Sequence, residues 1–142
     1  MLFEFEDSQF NRIFPFFILI GEDLKIISVG KTLLKVHPDV SGKYFAETFR
    51  VKRPQIDIQD IESFLRVVDQ LVVIEFINSN ISLRGQFEFS EKNRQVLFIG
   101  SPWFGSMNQV VENNLKIKDF VFHDPLIDLL HVLKTQEISN DE

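Results

Sequence analysis

The alternation of apolar and polar residues is most regular over residues 81–90, which read ISLRGQFEFS. From Ile81 onward every second position is apolar or glycine, and polar side chains occupy the positions between. A period of two with one polar face is typical of a half-buried β-strand. A polar turn and the apolar run 96–100 follow directly. The two segments therefore predict an antiparallel hairpin.

Three further runs predict strands in the rest of the chain. Residues 16–20 and 24–30 flank the turn Gly21-Glu22-Asp23 and predict a second hairpin. Residues 71–77, LVVIEFI, predict a fifth strand. Helices are predicted over 31–36, 41–49, 57–68 and 106–115. The segment 57–68 carries an apolar face at helical spacing, with Asp57 as its expected N-cap.

The last predicted helix begins where Asp124 is followed by Pro125. Aspartate is a favoured N-cap, and proline is favoured at the first helical position. Its leucines form a heptad-like stripe that makes it a candidate output helix. These residues are Leu126, Leu130 and Leu133.

The order of these elements predicts an α+β fold with a five-stranded antiparallel sheet and helices packed on one face. A length of 142 residues suits one domain, because two would each have a small core. We assign residues 1–135 to this domain, including an N-terminal extension and a C-terminal exit helix. Residues 136–142, QEISNDE, read as a loose acidic tail.

The chain has more apolar surface than a one-layer sheet needs. Residues 14–20, 71–74 and 97–99 are apolar at successive positions, so both faces of the sheet carry apolar side chains. The second face needs a cover, which the N-terminal segment, the terminal helix or a second subunit can provide. A large uncovered apolar patch marks an interaction surface. We expect a dimer, with these residues at the contact: Phe10, Ile13, Phe14 and Phe16.

Composition removes several classes of function. The net charge of −6 disfavours binding to nucleic acid or to an anionic membrane. The absence of cysteine excludes disulfides and thiolate metal sites. His37, His123 and His131 are not at metal-ligand spacing, and no catalytic constellation assembles. We expect no metal, no cofactor and no enzymatic activity. The N-terminus is acidic, unlike a signal peptide, so we expect a cytoplasmic protein.

Five sequence blocks resemble the haem–nitric-oxide-binding-associated (H-NOXA) domain of soluble guanylate cyclases and bacterial sensor histidine kinases. They span about residues 10 to 133, nearly the whole chain, in the order expected for the family. The blocks are FNRIFPFFILIGEDLKII (10–27), FRVKRPQI (49–56), LRGQFEF (83–89), VLFIGSP (96–102) and LKIKDFVFHDPLIDLL (115–130). One departure is that the family has His after Phe-Pro-Phe, where this chain has Phe17.

The resemblance implies a PAS-like fold and a regulatory role. In the family, such domains dimerise and relay a signal from a separate haem-based gas sensor, the H-NOX domain, to a cyclase or histidine kinase. It implies as partners a second copy or a homologous domain, and an H-NOX sensor. The alternative function is a small-molecule-binding PAS sensor, in which the segment 57–68 and the sheet enclose a ligand.

Overall fold

The computed structural model describes residues 6–77, 79 and 81–103. It contains one six-stranded sheet in the order β2-β1-β6-β5-β4-β3, in which every neighbouring pair is antiparallel. The strands are β1 (Ile18–Ile20), β2 (Ile26–Val29), β3 (Phe49–Arg53), β4 (Val72–Phe76), β5 (Ser82–Ser90) and β6 (Gln95–Trp103). The helices are α1 (Asp7–Ile13), α2 (Lys31–Val36), α3 (Phe45–Thr48) and α4 (Ile61–Leu65).

The fold class is confirmed, and both predicted hairpins form. β5 and β6 pair from Ser82 with Trp103 to Ser90 with Gln95. β1 pairs with β2 on one side and with β6 on the other, so the first hairpin lies beside the last strand. This crossover of β6 to the middle of the sheet brings the two hairpins together. The described part of the chain is thus a PAS-like α+β domain.

The sheet has six strands, not the five predicted, because no strand was predicted at β3, whose first residue was placed at the end of a helix. The predicted helix 41–49 is reduced to α3, and Phe49 begins a strand. Residues 49–52 alternate between buried Phe49 and Val51 and exposed Arg50 and Lys52. This period of two was present in the sequence, but the run is short and its charged members obscured it.

The helix predicted over residues 57–68 is shorter than expected and begins later. α4 starts after Asp60, whose Oδ1 accepts hydrogen bonds from the backbone N–H of Ser63 at 3.0 Å and from its hydroxyl at 2.9 Å. Asp60, rather than Asp57, is therefore the N-cap. Ile56 forms an isolated bridge with Val51, which holds the preceding residues against β3. Leu65, one of the apolar residues at helical spacing in the predicted helix, is 41% exposed and so lies outside the buried face.

The core lies between the sheet and helices α2, α3 and α4. Its centre is a cluster of phenylalanines in which Phe45 contacts Phe49, Phe64 and Phe87 at centroid distances of 5.4, 5.4 and 6.2 Å. Phe87 also contacts Phe98 at 5.2 Å. All five side chains are essentially inaccessible to solvent. Part of the large phenylalanine content therefore builds the core.

Candidate functional site

The outer face of the sheet is the side opposite α2, α3 and α4. Strand alternation places five apolar side chains on this face. Two of them, Leu19 on β1 and Leu97 on β6, lie directly opposite each other. Four of the five are half-buried, and Leu71, next to the start of β4, is 60% exposed. The residues of this apolar outer face are Leu19, Leu71, Val73, Leu97 and Ile99.

An aromatic cluster joins α1 to the residues that lead into β1. The ring of Phe10 lies 5.0 Å from that of Phe14 and 5.0 Å from that of Phe17, edge-on to the latter. Phe17 is 8% exposed, whereas no residue of α1 is fully buried. Such tilted and edge-to-face pairs add stabilisation beyond the area they bury. Phe17, the position of the departure noted in the sequence, therefore makes an apolar contact with α1.

Polar contacts fix the ends of α1. The backbone N–H of Glu6 donates to Oε1 of Gln9 at 2.9 Å, within the first turn. The side-chain carbonyl of Asn11 accepts from the backbone N–H of Lys31 at 2.8 Å. Lys31 is the first residue of α2, so this bond ties the N-terminal helix to the domain across 20 positions of sequence.

A groove of about 500 Å³ lies beside the aromatic cluster. It is lined by Phe14, Leu71, Gly85, Gln86 and Ile99, and we call it the Phe14 groove. Phe14 comes from the end of α1, and the other four come from β5, β6 and the residue before β4. The groove therefore connects the N-terminal segment with the apolar outer face.

The outer face becomes charged toward β3. Nε of Arg50 lies 2.8 Å from a carboxylate oxygen of Glu75, and Nζ of Lys52 lies 3.8 Å from the other. Arg50 and Glu75 are directly paired across β3 and β4. Both cations are at least half exposed, so these pairs contribute little to stability. The outer face is therefore charged at its β3 edge.

The predicted contact residues fall in two different environments. Phe10 and Phe14 are half-buried and Ile13 is 37% exposed, so these three lie at the surface beside the Phe14 groove. Phe16 is 2% exposed and belongs to the core, on the opposite side of the backbone. The candidate output residues Leu126, Leu130 and Leu133 lie outside the described residues.

The alternative function places a ligand between the segment 57–68 and the sheet. A cavity of about 240 Å³ is lined by Asp57 and Ile58 together with Phe49 and Val51, whereas the space beneath α4 is filled by side chains. Phe64 is fully buried and lies 4.9 Å from Phe87, ring centre to ring centre, on the sheet. In the described part of the chain, no group of three or more His, Asp or Glu side chains is placed to hold a metal ion. His37 packs against Phe76 at 5.9 Å. His123 and His131 lie outside the described residues.

Two residues that line the Phe14 groove on the outer face, Leu71 and Ile99, were not among the predicted contact residues. Leu71 and Ile99 reach the outer face because each lies in a run that is apolar at successive positions. That signal was visible in the sequence and indicated two apolar faces. It did not indicate which residues of the runs lie near α1, because this depends on β6 pairing with β1.

The fold and its outer face define a PAS-like domain with an N-terminal helix packed beside the sheet. The family model described as heme NO binding associated (HNOBA) matches residues 3–79 and 74–141, nearly the entire chain. The chain belongs to this family, and the sequence resemblance to H-NOXA domains is confirmed.

Named relatives are guanylate cyclases. The chain is 28% identical to a soluble guanylate cyclase of Caenorhabditis elegans, over 85% of this chain and 22% of that protein. It is 26% identical to guanylate cyclase soluble subunit beta-2 of Rattus norvegicus, over 96% of this chain and 22% of that protein. It is 26% identical to soluble subunit alpha-1 of Bos taurus, over 87% of this chain and 19% of that protein.

The chain thus spans about a fifth of the length of these relatives. A search of residues 6–77, 79 and 81–103 for a membrane-crossing helix finds none of sufficient length and apolar character.

Proposed function

We propose that this chain is a non-catalytic dimerisation and signal-relay domain that couples a haem-based gas sensor to a cyclase or histidine kinase. Membership of the heme NO binding associated family supports the link to a haem sensor. Similarity to named alpha and beta subunits of guanylate cyclase supports pairing with a homologous domain or a second copy. The relay acts in the cytoplasm through protein contacts.

The observation that carries the proposal is the position of the aromatic cluster beside an apolar groove on the outer face. Phe10 and Phe14 fix α1 to the domain, and Ile13 remains exposed at its end. A two-fold dimer places the same patch of both subunits in contact. In this arrangement Phe10, Ile13 and Phe14 meet the partner, while Phe16 supports them from the core.

The relay consists of a change in the angle between the two subunits. Packed interfaces have discrete arrangements, so a sensor that binds one arrangement more tightly shifts the population toward it. The terminal helices, with Leu126, Leu130 and Leu133 in contact, transmit that change to the output domain as a shift in register or splay.

Replacing Ile13 by Glu tests the dimer contact. We expect the dissociation constant to rise at least tenfold. The dimer loses the burial of the exposed 37% of two isoleucine side chains, about 1–2 kcal/mol in total, and brings two carboxylates together instead. Sedimentation equilibrium over a range of concentrations measures the change. Circular dichroism at concentrations below the dissociation constant should show that the variant is folded, since Ile13 is 37% exposed and lies outside the core cluster.

Leu34→Glu is the matched control. Leu34 is 42% exposed on α2, so it introduces the same charge at a similar exposure away from the proposed contact. The control should dimerise like the parent chain. Equal dissociation constants for the Ile13 variant and the parent chain, or a parent chain that is monomeric at all concentrations, would refute this contact.

Small-molecule sensing remains the alternative function. The space beneath α4 does not support it, because Phe64 occupies that space.

A further inference from the structure

Four basic side chains gather on the outer face where β3, β4 and β5 lie side by side. Arg53 of β3 and Arg84 of β5 are both directly paired with Val73 of β4, one from each side. Neighbouring strands are about 4.8 Å apart, so the backbones of the two arginines are roughly 10 Å from each other. All four side chains are exposed. The group, which we call the basic patch, consists of Arg50, Lys52, Arg53 and Arg84.

The described acidic groups beside the basic patch do not balance its charge. Glu75 accepts ion pairs from Arg50 and Lys52, at 2.8 and 3.8 Å. Asp57 lines a cavity together with Arg50 but forms no ion pair with it. Arg53 forms no ion pair with any described residue. Four cations beside two carboxylates leave a surplus of positive charge, in a chain whose net charge is −6.

This surplus of positive charge fits an acidic segment, and the acidic tail of this chain is one. Residues 136–142 include Glu137, Asp141 and Glu142 and no basic residue. Ion pairs between exposed side chains are individually weak, so a separate partner would need further contacts to stay bound. A segment of the same chain does not, because its tether keeps it at an effective concentration in roughly the millimolar range.

The register of the sheet places the end of β6 close to the basic patch. Trp103, the last residue of β6, pairs with Ser82 of β5, and Ser82 pairs with Glu75 of β4. Glu75 in turn pairs with Arg50, so one row across the sheet joins the end of β6 to the basic patch. Three strand spacings, about 15 Å, separate the ends of this row. Residues 104–135 connect Trp103 to the acidic tail and can span that distance, since an extended chain covers about 3.3 Å per residue.

We propose that the acidic tail, residues 136–142, docks on the basic patch of its own chain. The contact restrains the C-terminal part of the chain: while it holds, the residues before the tail stay beside the outer face. High salt or a competing acidic surface releases them. Docking involves residues other than Ile13 and does not require the dimer, so it is independent of the proposed relay contact.

A nitroxide spin label on the acidic tail tests this proposal in the full chain. The sequence has no cysteine, so Ser139→Cys provides a single point of attachment. In ¹⁵N nuclear magnetic resonance spectra, the label should reduce the amide signals of residues 50–53 and 73–75 to about half or less. The reference is the same sample after chemical reduction of the nitroxide. Roughly 0.5 M sodium chloride should restore most of the signal, because it screens exposed charges.

Two charge reversals separate docking on the basic patch from a general effect of charge. Arg53→Glu should restore at least half of the lost signal, because it replaces attraction of the tail by repulsion. Lys92→Glu is the matched control, since Lys92 is also exposed but lies in the turn after β5, beyond the end of that strand distant from Arg84. It should leave the signal loss as in the parent chain. Neither residue belongs to the core cluster, so both variants should fold.

A mixed sample separates docking within one chain from docking between chains. It contains ¹⁵N-labelled chain without nitroxide and spin-labelled chain without ¹⁵N. We expect the amide signals of the basic patch to keep nearly full intensity in this mixture. A loss as large as in the doubly labelled chain would place the tail on a second copy and overturn the proposal.

Two further results would overturn it. One is full signal intensity at the basic patch with the nitroxide attached, which would leave the patch open to a separate acidic protein. The other is a signal loss that Arg53→Glu does not change. Since Ile13→Glu reports on the dimer contact and not on the tail, none of these results bears on the relay.

Discussion

Gly85 pairs with Gly100 where β5 and β6 run side by side. The two strands approach so closely here that neither position has room for a side chain. A Cβ atom at Gly85 would collide with the carbonyl oxygen of Ile99 and with Cα of Gly100 at 2.6 Å. These are backbone atoms of a strand held on both sides, so they have little room to move. The requirement for glycine here is therefore steric.

Gly85→Ala should lower the free energy of unfolding by about 1–3 kcal/mol, the usual cost of overpacking a well-packed site. Urea denaturation followed by circular dichroism measures this change. Gln86→Ala is the control, because Gln86 is the exposed next residue of the same strand and should change stability by less than about 0.5 kcal/mol. A Gly85 variant as stable as the control would contradict the predicted clash.

Among the elements, α4 illustrates how a short helix depends on its cap. It has five residues, too few to be stable alone, so packing and the N-cap must hold it. Asp60 accepts two hydrogen bonds from Ser63, and the Ser63 hydroxyl in turn accepts from the backbone N–H of Gln59 at 3.2 Å. Phe64 then reaches the core cluster.

Asp60→Ala should lower the free energy of unfolding by about 1 kcal/mol through loss of the cap. Asp57→Ala offers a matched comparison, since Asp57 is exposed and lies before the helix. Its effect should stay within about 0.5 kcal/mol. Chemical denaturation of both variants under the same conditions shows which of the two aspartates caps α4. A larger loss at Asp57 would favour the longer helix predicted from the sequence.

For the whole molecule, the balance between net charge and the apolar outer face sets how a dimer responds to salt. Each chain carries a net charge of −6, so two copies repel each other. The ion pairs of Arg50 and Lys52 with Glu75 are within one chain, near the β3 edge. An apolar contact around Ile13 gains little from charge attraction between subunits.

Added sodium chloride should therefore strengthen the proposed dimer, because it screens the repulsion between like-charged subunits. Sedimentation equilibrium at low and high ionic strength measures the dissociation constant. A contact built on complementary charges, such as the β3 edge of one subunit against an acidic surface of the other, would weaken as salt rises. That outcome would move the interface away from the Phe14 groove.

The sequence predicted the parts of the fold that depend on local pattern. The alternation over residues 81–90 identified β5 and its pairing with β6, and the turn at Gly21 identified the first hairpin. The length of α4 was predicted less well, because Asp57 and Asp60 are both suitable caps by residue type. The hydrogen bonds from Ser63 to Asp60 and the bridge between Ile56 and Val51 distinguish them.

The candidate site was also predicted only in part. Excess apolar residues in the sequence indicated a second apolar face, and Phe10, Ile13 and Phe14 do lie at the surface beside it. Phe16 could not be separated from them, since alternation around Pro15 does not say which side faces the core. Nothing in the sequence joined Arg84 to Arg53, which flank Val73 only in the folded sheet.

The sequence by itself determined five of the six strands, the turns between paired strands, the absence of thiol chemistry and the family, because these follow from residue type and short-range order. The tertiary structure decided that β6 lies between β1 and β5, which side of the sheet α1 occupies and which cations gather around Glu75. These features depend on contacts between residues far apart in the chain. Such contacts form only when the whole core packs, so no local pattern specifies them.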